Sequence, residues 1–269
     1  MASTLIKTTN NMRQTKALFL VLVALAFTMS ASAQSLDSLK TICYEALESD
    51  DTATFNRTYP MLYEAFTREN DEYYEVRQTL AKIRNTDQSI RILVADIHRN
   101  MAGRGKYLSL VRPVMNAIDR ANVEIVTNFI DKHGWLGKDD IGEDGNETLF
   151  LCIQHCQDSV IQHKYLPIIE DAVKKGNAEP WHFAFLTDRV LMNQGKPQIY
   201  GTQTIAAKGR TFLVPLQNPR EVDALRKSIG LESLDNYMQG FGEHFSVADY
   251  LKEEASINAI FKHWLLNRK

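Results

Sequence analysis

Cysteine is scarce: the chain has three in 269 residues, Cys43, Cys152 and Cys156. So few, and an odd number, exclude a scaffold built on disulfides. Cys152 and Cys156 stand four apart on an expected helix, a poor geometry for a mutual bridge. A metal set could be assembled from Cys152, His155 and Cys156, but zinc spacings pair separate short elements. Small buried residues are the better reading, and neither a metal nor a cofactor is expected. The sequence also lacks a nucleophile elbow, an HExxH, a P-loop and a dinucleotide fingerprint, so none of those reaction classes is indicated. It holds no low-complexity linker and no internal repeat.

Long apolar runs are missing too. The longest, Ala17 to Met29, falls short of the roughly 20 residues of a spanning helix. It stands after Lys7, Arg13 and Lys16, with no acid among them, and before the small-x-small triplet Ala31-Ser32-Ala33. Those are the three parts of a cleavable export signal, so residues 1–33 are expected to be removed and the mature chain to begin at Gln34. A segment starting at Met12 contains the same parts. The competing reading is an uncleaved membrane anchor. No Cys follows the cleavage site, which argues against a lipid-anchored form. The expected location is periplasmic or secreted, with no later membrane span. Removal of the leader leaves 236 residues with 28 Lys and Arg against 33 Asp and Glu, a formal charge of −5. That balance disfavours nucleic acid or an anionic membrane as partner.

What is present is mostly helical periodicity. Helices are expected over 35–48, 51–68 and 75–101, with a break at Gly103-Arg104-Gly105. Pro113 is expected to open a helix ending at His133 before Gly134. Lys138 to Gly145 reads as an acidic loop. Further helices fit 147–157, 159–175, 179–193, 219–228 and 247–267. Gln198–Ile205 and Thr211–Val214 read as strands joined by a five-residue loop. The expected fold is mainly α (α+β), a multi-helix domain with one small β-hairpin near residues 198–214. The expected parts are an N-terminal helical region (34–85), a core (86–240) and a C-terminal helical extension (241–269). Asn56-Arg57-Thr58 and Asn146-Glu147-Thr148 match the glycosylation triplet, which is short enough to occur by chance.

Polar residues break the apolar stripes at four places. Asp87 stands in the series Val76, Leu80, Ile83, Ile90, Val94, Ile97 and Met101, unless the helix breaks near Asn85 and Asp87 caps a new one. Asn122 fills the middle of Met115, Ile118, Ile125 and Phe129, where it could simply bond backbone. Leu149–Ile153 is wholly apolar and runs into Gln154-His155-Cys156-Gln157-Asp158. Asp188 has Ala184, Phe185, Leu191 and Met192 as its helix-surface neighbours, with Arg189 beside it. An ion pair orienting two helices would satisfy that last case. The hairpin adds Gln198, Tyr200, Gly201, Thr202 and Gln203, and glycine in a strand often marks close approach. A polar network that only specifies the fold would explain all of these together.

These stretches resemble a bacterial family catalogued as domain of unknown function 6624. The resemblance rests on Asp87-Gln88 with Arg91, Asp119 with Asn122, Gly134-Trp135, Gln154-His155 and Gln162. Leu186 also belongs to it, its most specific parts are Thr187-Asp188-Arg189 and Tyr200-Gly201-Thr202-Gln203, and Asp223, Arg226 and Gly230-Leu231 form its tail. It covers about residues 87–237. It implies a shared site and, in many members, export, without a substrate. Relatives commonly carry a small residue and then Asp after the His. Here Cys156 and Gln157 follow, and Asp158 is the nearest replacement.

Three functions compete. The first is a hydrolase-type enzyme with His155 as general acid or base, Asp188 or Asp87 as its partner, and Arg189 holding an anionic group. Gln154, Gln198, Tyr200, Gln203 and Asn122 would position its substrate. The second is a non-catalytic binding module for a small polar ligand or an envelope component. The third is a scaffold whose buried polar groups only fix packing.

Overall fold

Caps and apolar stripes set the helices. The computed structural model describes residues 34–267 apart from 102, 103 and 208, and the side chains of 98 and 99 are outside the description. The expected leader, 1–33, and Gly103 of the expected break therefore lie outside the described residues. Among those residues the chain forms ten helices and a single two-stranded hairpin. It divides between Ile118 and Asp119 into two compact units.

The first unit begins with α1 (Leu36–Glu48), whose Ser35 Oγ accepts from Ser38 N. Its Leu36, Leu39, Cys43 and Ala46 make a buried seam at helical spacing. Asp51 caps α2 (Thr52–Asn70), which packs on α1. Next, α3 (Tyr74–Asn100) runs through Asn85 without a break, so Asp87 does not cap a helix. Its buried carboxylate sits mid-helix, paired with Arg91 at 2.9 Å and accepting from Gln88 Nε2 at 2.8 Å. Pro113 lies inside α4 (Arg104–His133) rather than opening it. The unit boundary falls within α4.

The second unit differs from expectation where acid and glycine were read as a loop. Residues 138–145 belong to α5 (Lys138–His155), which kinks at Gly142, with φ 76°. Asp139 and Asp140 stand in its first turn, where the helix dipole favours acid, and Asp140 accepts from the Gly137 N–H. Asn146 is buried and donates to the carbonyls of Leu136 and Asn177, so the second glycosylation triplet is interior. Helices α6 (Ser159–Lys174) and α7 (Pro180–Asn193) pack on each other and on α5.

The hairpin is shorter than its pattern suggested: β1 (Thr204–Ala207) pairs antiparallel with β2 (Arg210–Leu213). Ala206, Ala207 and Arg210, expected in the loop, are ladder residues. Residues 198–203 form a wound loop, linked to Leu216 by one parallel bridge at Gln198. Two short helices follow, α8 (Val222–Ser228) and α9 (Leu234–Gln239), the second of which the periodicity did not announce. Finally α10 (Val247–Asn267) lies against β1, where Phe261 packs with Met192, Ile205 and Val214. No helix among the described residues is long and apolar enough to cross a membrane.

Gln162 closes the end of α5. Its Nε2 donates to the carbonyls of Ile153, Gln154 and Cys156 at 3.4, 3.2 and 2.8 Å, and its Oε1 accepts from Asn193 Nδ2 at 2.6 Å. Helix ends leave carbonyls without intrahelical partners, and here one buried side chain serves three of them. Gln162→Leu keeps the volume and removes the bonds. It should lower stability in urea by about 1–3 kcal/mol. An unchanged midpoint would deny Gln162 this role.

Candidate functional site

The helix α7 buries every second residue, His182, Ala184, Leu186, Asp188, Val190 and Met192. A fully buried Asp on such a helix needs compensating donors. Asp188 finds them on the loop 199–203. One carboxylate oxygen accepts from Ile199 N at 2.7 Å and Tyr200 N at 3.1 Å. The other accepts from Tyr200 N at 3.1 Å, Thr202 N at 3.0 Å and Thr202 Oγ1 at 2.9 Å. These donors take the place of a strand partner, which is why 198–203 leaves the sheet. Burial pushes the Asp188 carboxyl above its ordinary range, and the backbone N–H groups of Thr202, Ile199 and Tyr200 pull it back.

The same loop is held from its carbonyl side. Arg226 is buried and donates to Tyr200 O at 2.9 Å, Gly201 O at 3.4 Å and Glu232 O at 2.7 Å. Its guanidinium lies 5.0 Å from the Tyr237 ring centre, and Tyr237 Oη donates to Thr202 O at 2.9 Å. Gln198 is buried and pairs like a short strand: it accepts from Gln203 N at 2.8 Å and donates to Gln203 O and Val214 O. Gly201 has φ +68°, and an added Cβ would meet both Leu234 methyls at 3.0 Å.

Beside this loop, Arg189 Nε donates to Gln203 Oε1 at 2.6 Å, and Gln203 Nε2 donates to Thr202 Oγ1 at 2.9 Å. Arg189 and Tyr200 are half-buried. The second unit thus brings together Asp188, Arg189, Gln198, Tyr200 and Gln203. All five bonds described for the Asp188 carboxylate go to the loop. Gln154 and His155 end α5: Gln154 is buried and gives its carbonyl to Gln162, and its Oε1 meets no protein partner, while His155 is half-buried. Asp158 is the N-cap of α6, accepting from Val160 N at 2.8 Å. Asn122 is buried with Nδ2 lacking a protein partner. Asp87 belongs to the first unit. Among the described residues no three His, Cys, Asp or Glu side chains gather as a metal set.

Periodicity passed over two residues of this region. Tyr237 was only the edge of the resemblance, because its partner is 35 residues away. His182 shares the buried face of Leu186 and Val190, and that spacing was its one signal. Its ring stacks on Phe150 at 4.5 Å and 8°, and neither nitrogen meets a protein partner. Burial lowers its pKa from 6.5 to about 3.

A model described as a family of unknown function, DUF6624, matches residues 74–256, a longer span than the motifs alone suggested. No curated protein and no solved structure matches the chain.

Two variants test the geometry. Asp188→Asn turns an amide N–H₂ toward N–H donors and should cost about 1–3 kcal/mol for each group left unsatisfied, read by urea unfolding. An Asn variant as stable as the parent would show that the loop does not need the carboxylate. For His182 the unfolded chain takes up a proton below 6.5 and the folded chain only near 3. Its stability contribution is therefore intact above 6.5 and lost as pH falls, by about 1.4 kcal/mol per unit. His182→Phe should flatten the fall in urea midpoint between about pH 6 and about pH 4 by one proton's worth. Parallel curves for the two proteins would overturn this.

Proposed function

The chain belongs to the family of unknown function DUF6624, and from that premise we propose that it is an exported protein binding a small anionic ligand beside the 199–203 loop, with Arg189 taking the charge. One observation carries the reading: Arg189, half-buried, is held through Nε by Gln203, a residue of the loop that Asp188, Gln198 and Arg226 immobilise. An arginine of fixed orientation is the side chain best matched to a planar or tetrahedral anion. Asp188 serves here as a positioning residue, since its described bonds all go to the loop. Tyr200, half-buried on the same loop, is the candidate for contact with an uncharged part of the ligand.

Acid/base catalysis is the second reading. It is favoured by His155, which emerges half-buried from the end of a buried helix beside Gln154. Under it, a screen against glycan, peptide and ester substrates finds turnover that His155→Ala removes. Turnover indifferent to that substitution would dismiss the residue from the chemistry.

Calorimetric titration with acetate, inorganic phosphate and sulfate tests the first reading. At least one should bind, and Arg189→Met should weaken it by about tenfold or more, the scale of a charge-assisted pair. Equal affinities in the two proteins would refute the assignment. Export is tested separately, by N-terminal sequencing of the protein recovered outside the cytoplasm. A start at Gln34 is expected, and a retained leader would favour a membrane anchor.

A further inference from the structure

The hairpin of α1 and α2 leaves a broad apolar side open. The two helices are joined by the short turn Ser49 to Asp51 and pack on each other, so they run antiparallel. At 3.6 residues per turn, Phe55, Tyr59, Leu62, Tyr63 and Phe66 of α2 fall within about 100° of arc. Tyr59, Tyr63 and Phe66 are 51, 65 and 54% exposed, and Phe55 stacks on Tyr59 at 5.5 Å and 24°. The charged Arg57, Glu64 and Arg68 stand about 160° round the helix from that stripe. The stripe flanks Thr58, the buried residue of α2, in the same rotational sense in which Tyr44 and Leu47 flank the buried seam of α1. In an antiparallel pair two such flanks come out on one side of the hairpin. Tyr44 and Leu47, 65 and 55% exposed, therefore extend the patch.

The next helix does not cover this side. It meets α2 across the charged side, where Tyr74 Oη donates to Glu64 at 3.1 Å and Arg68 pairs with Glu75 at 2.9 Å. At roughly 200 Å² per ring residue, the exposed parts of Tyr44, Tyr59, Tyr63 and Phe66 come to about 450 Å². A standard interface takes roughly 800 Å² from each partner, about 60% of it non-polar. The patch supplies that non-polar share, and Lys40, paired with Asp37, gives it a polar edge. An anionic membrane surface is a poor match, because residues 35–70 carry seven acids against three Lys and Arg.

We infer that this patch is a homodimer interface, where α1 and α2 of one copy pair with α1 and α2 of a second copy about a two-fold axis. A two-fold contact uses one patch twice, so the patch must tolerate itself. No charge stands within the stripe of α2, so like charges do not oppose each other there, and rings pair readily with rings. Pairing also supplies what the hairpin lacks. While α1 buries Leu36, Leu39, Cys43 and Ala46, α2 buries Thr58 and leaves its aromatic residues open. A second hairpin laid on the patch makes a four-helix layer with those rings inside. Both helices precede residues 74–256, the part matched by the family model, so the interface lies outside that match. It is independent of the reading of Arg189.

Sedimentation velocity over a dilution series of the exported chain tests this. It should show a monomer–dimer equilibrium with a Kd that is micromolar or tighter. Tyr63→Glu sets like charges against each other across the axis and should weaken the dimer by about tenfold or more, with helix content unchanged. Cross-linking gives a second readout, because the three native cysteines are buried. A short bis-maleimide should join two copies of Tyr63→Cys, and should leave Arg57→Cys, on the charged side, unjoined. Should Tyr63→Glu fail to fold, the cross-linking pair decides. A monomer at every concentration overturns the inference. So does a dimer that Tyr63→Glu leaves intact and Arg57→Cys cross-links, which would put the contact on another face. A monomer that sediments with phosphatidylethanolamine–phosphatidylglycerol vesicles, and loses them in Tyr63→Glu, would give the patch to a membrane and overturn it as well.

Discussion

One short loop held between opposite charges organises the second unit. The N–H groups of Ile199, Tyr200 and Thr202 face the Asp188 carboxylate, and the carbonyls of Tyr200 and Gly201 face the Arg226 guanidinium. The peptide dipoles lie between the two charges and are aligned by them. Either charge alone in that interior would be costly. Together, with each spent on backbone groups that have no ladder to join, they turn an irregular segment into a fixed one. Gln198 extends the same logic by standing in for a strand next to β1. The helix α7, the hairpin and the two short helices α8 and α9 are tied to one another through this loop.

That constraint is also what fixes the candidate site. Arg189 follows Asp188 directly, so the helix that delivers the buried carboxylate delivers the guanidinium to the adjoining face. Gln203 holds it from the loop's end, and Tyr237, which donates to the Thr202 carbonyl, packs edge to face on Phe185. Packing and the proposed anion site therefore share Gln203. The buried polar groups do specify the fold, and the half-buried ones beside them are placed by it.

Much of this was legible in the sequence because helices make errors of polarity visible. Asp188 and Asp87 stood out only against a regular apolar stripe. Strand reasoning did less well. Gln198 to Gln203 alternates like a strand, yet a carboxylate from another element captures its N–H groups, and no local pattern records that. The acidic stretch 138–145 failed for the opposite reason: Asp139 and Asp140 are favourable at a helix start, and Gly142 is a kink within the helix rather than a stop. Arg226 appeared only through the family resemblance, and Tyr237 only at its margin, because both reach across 26 to 35 residues of chain. His182 was hidden by its chemistry. A histidine without hydrogen bonds behaves as an aromatic residue, and composition counts it as polar.

The order of these residues along the chain bears on how the unit forms. Asp188 and its loop are synthesised first, and Arg226 and Tyr237 come later, beyond the hairpin. Until they arrive, the carbonyls of Tyr200, Gly201 and Thr202 have no protein partners from that side. The loop then carries its carboxylate without the opposing cation. A chain cut short before Arg226 retains the hairpin sequence and all of α7, yet lacks what would balance Asp188. The motif at the middle of the second unit is therefore completed by residues from its last third.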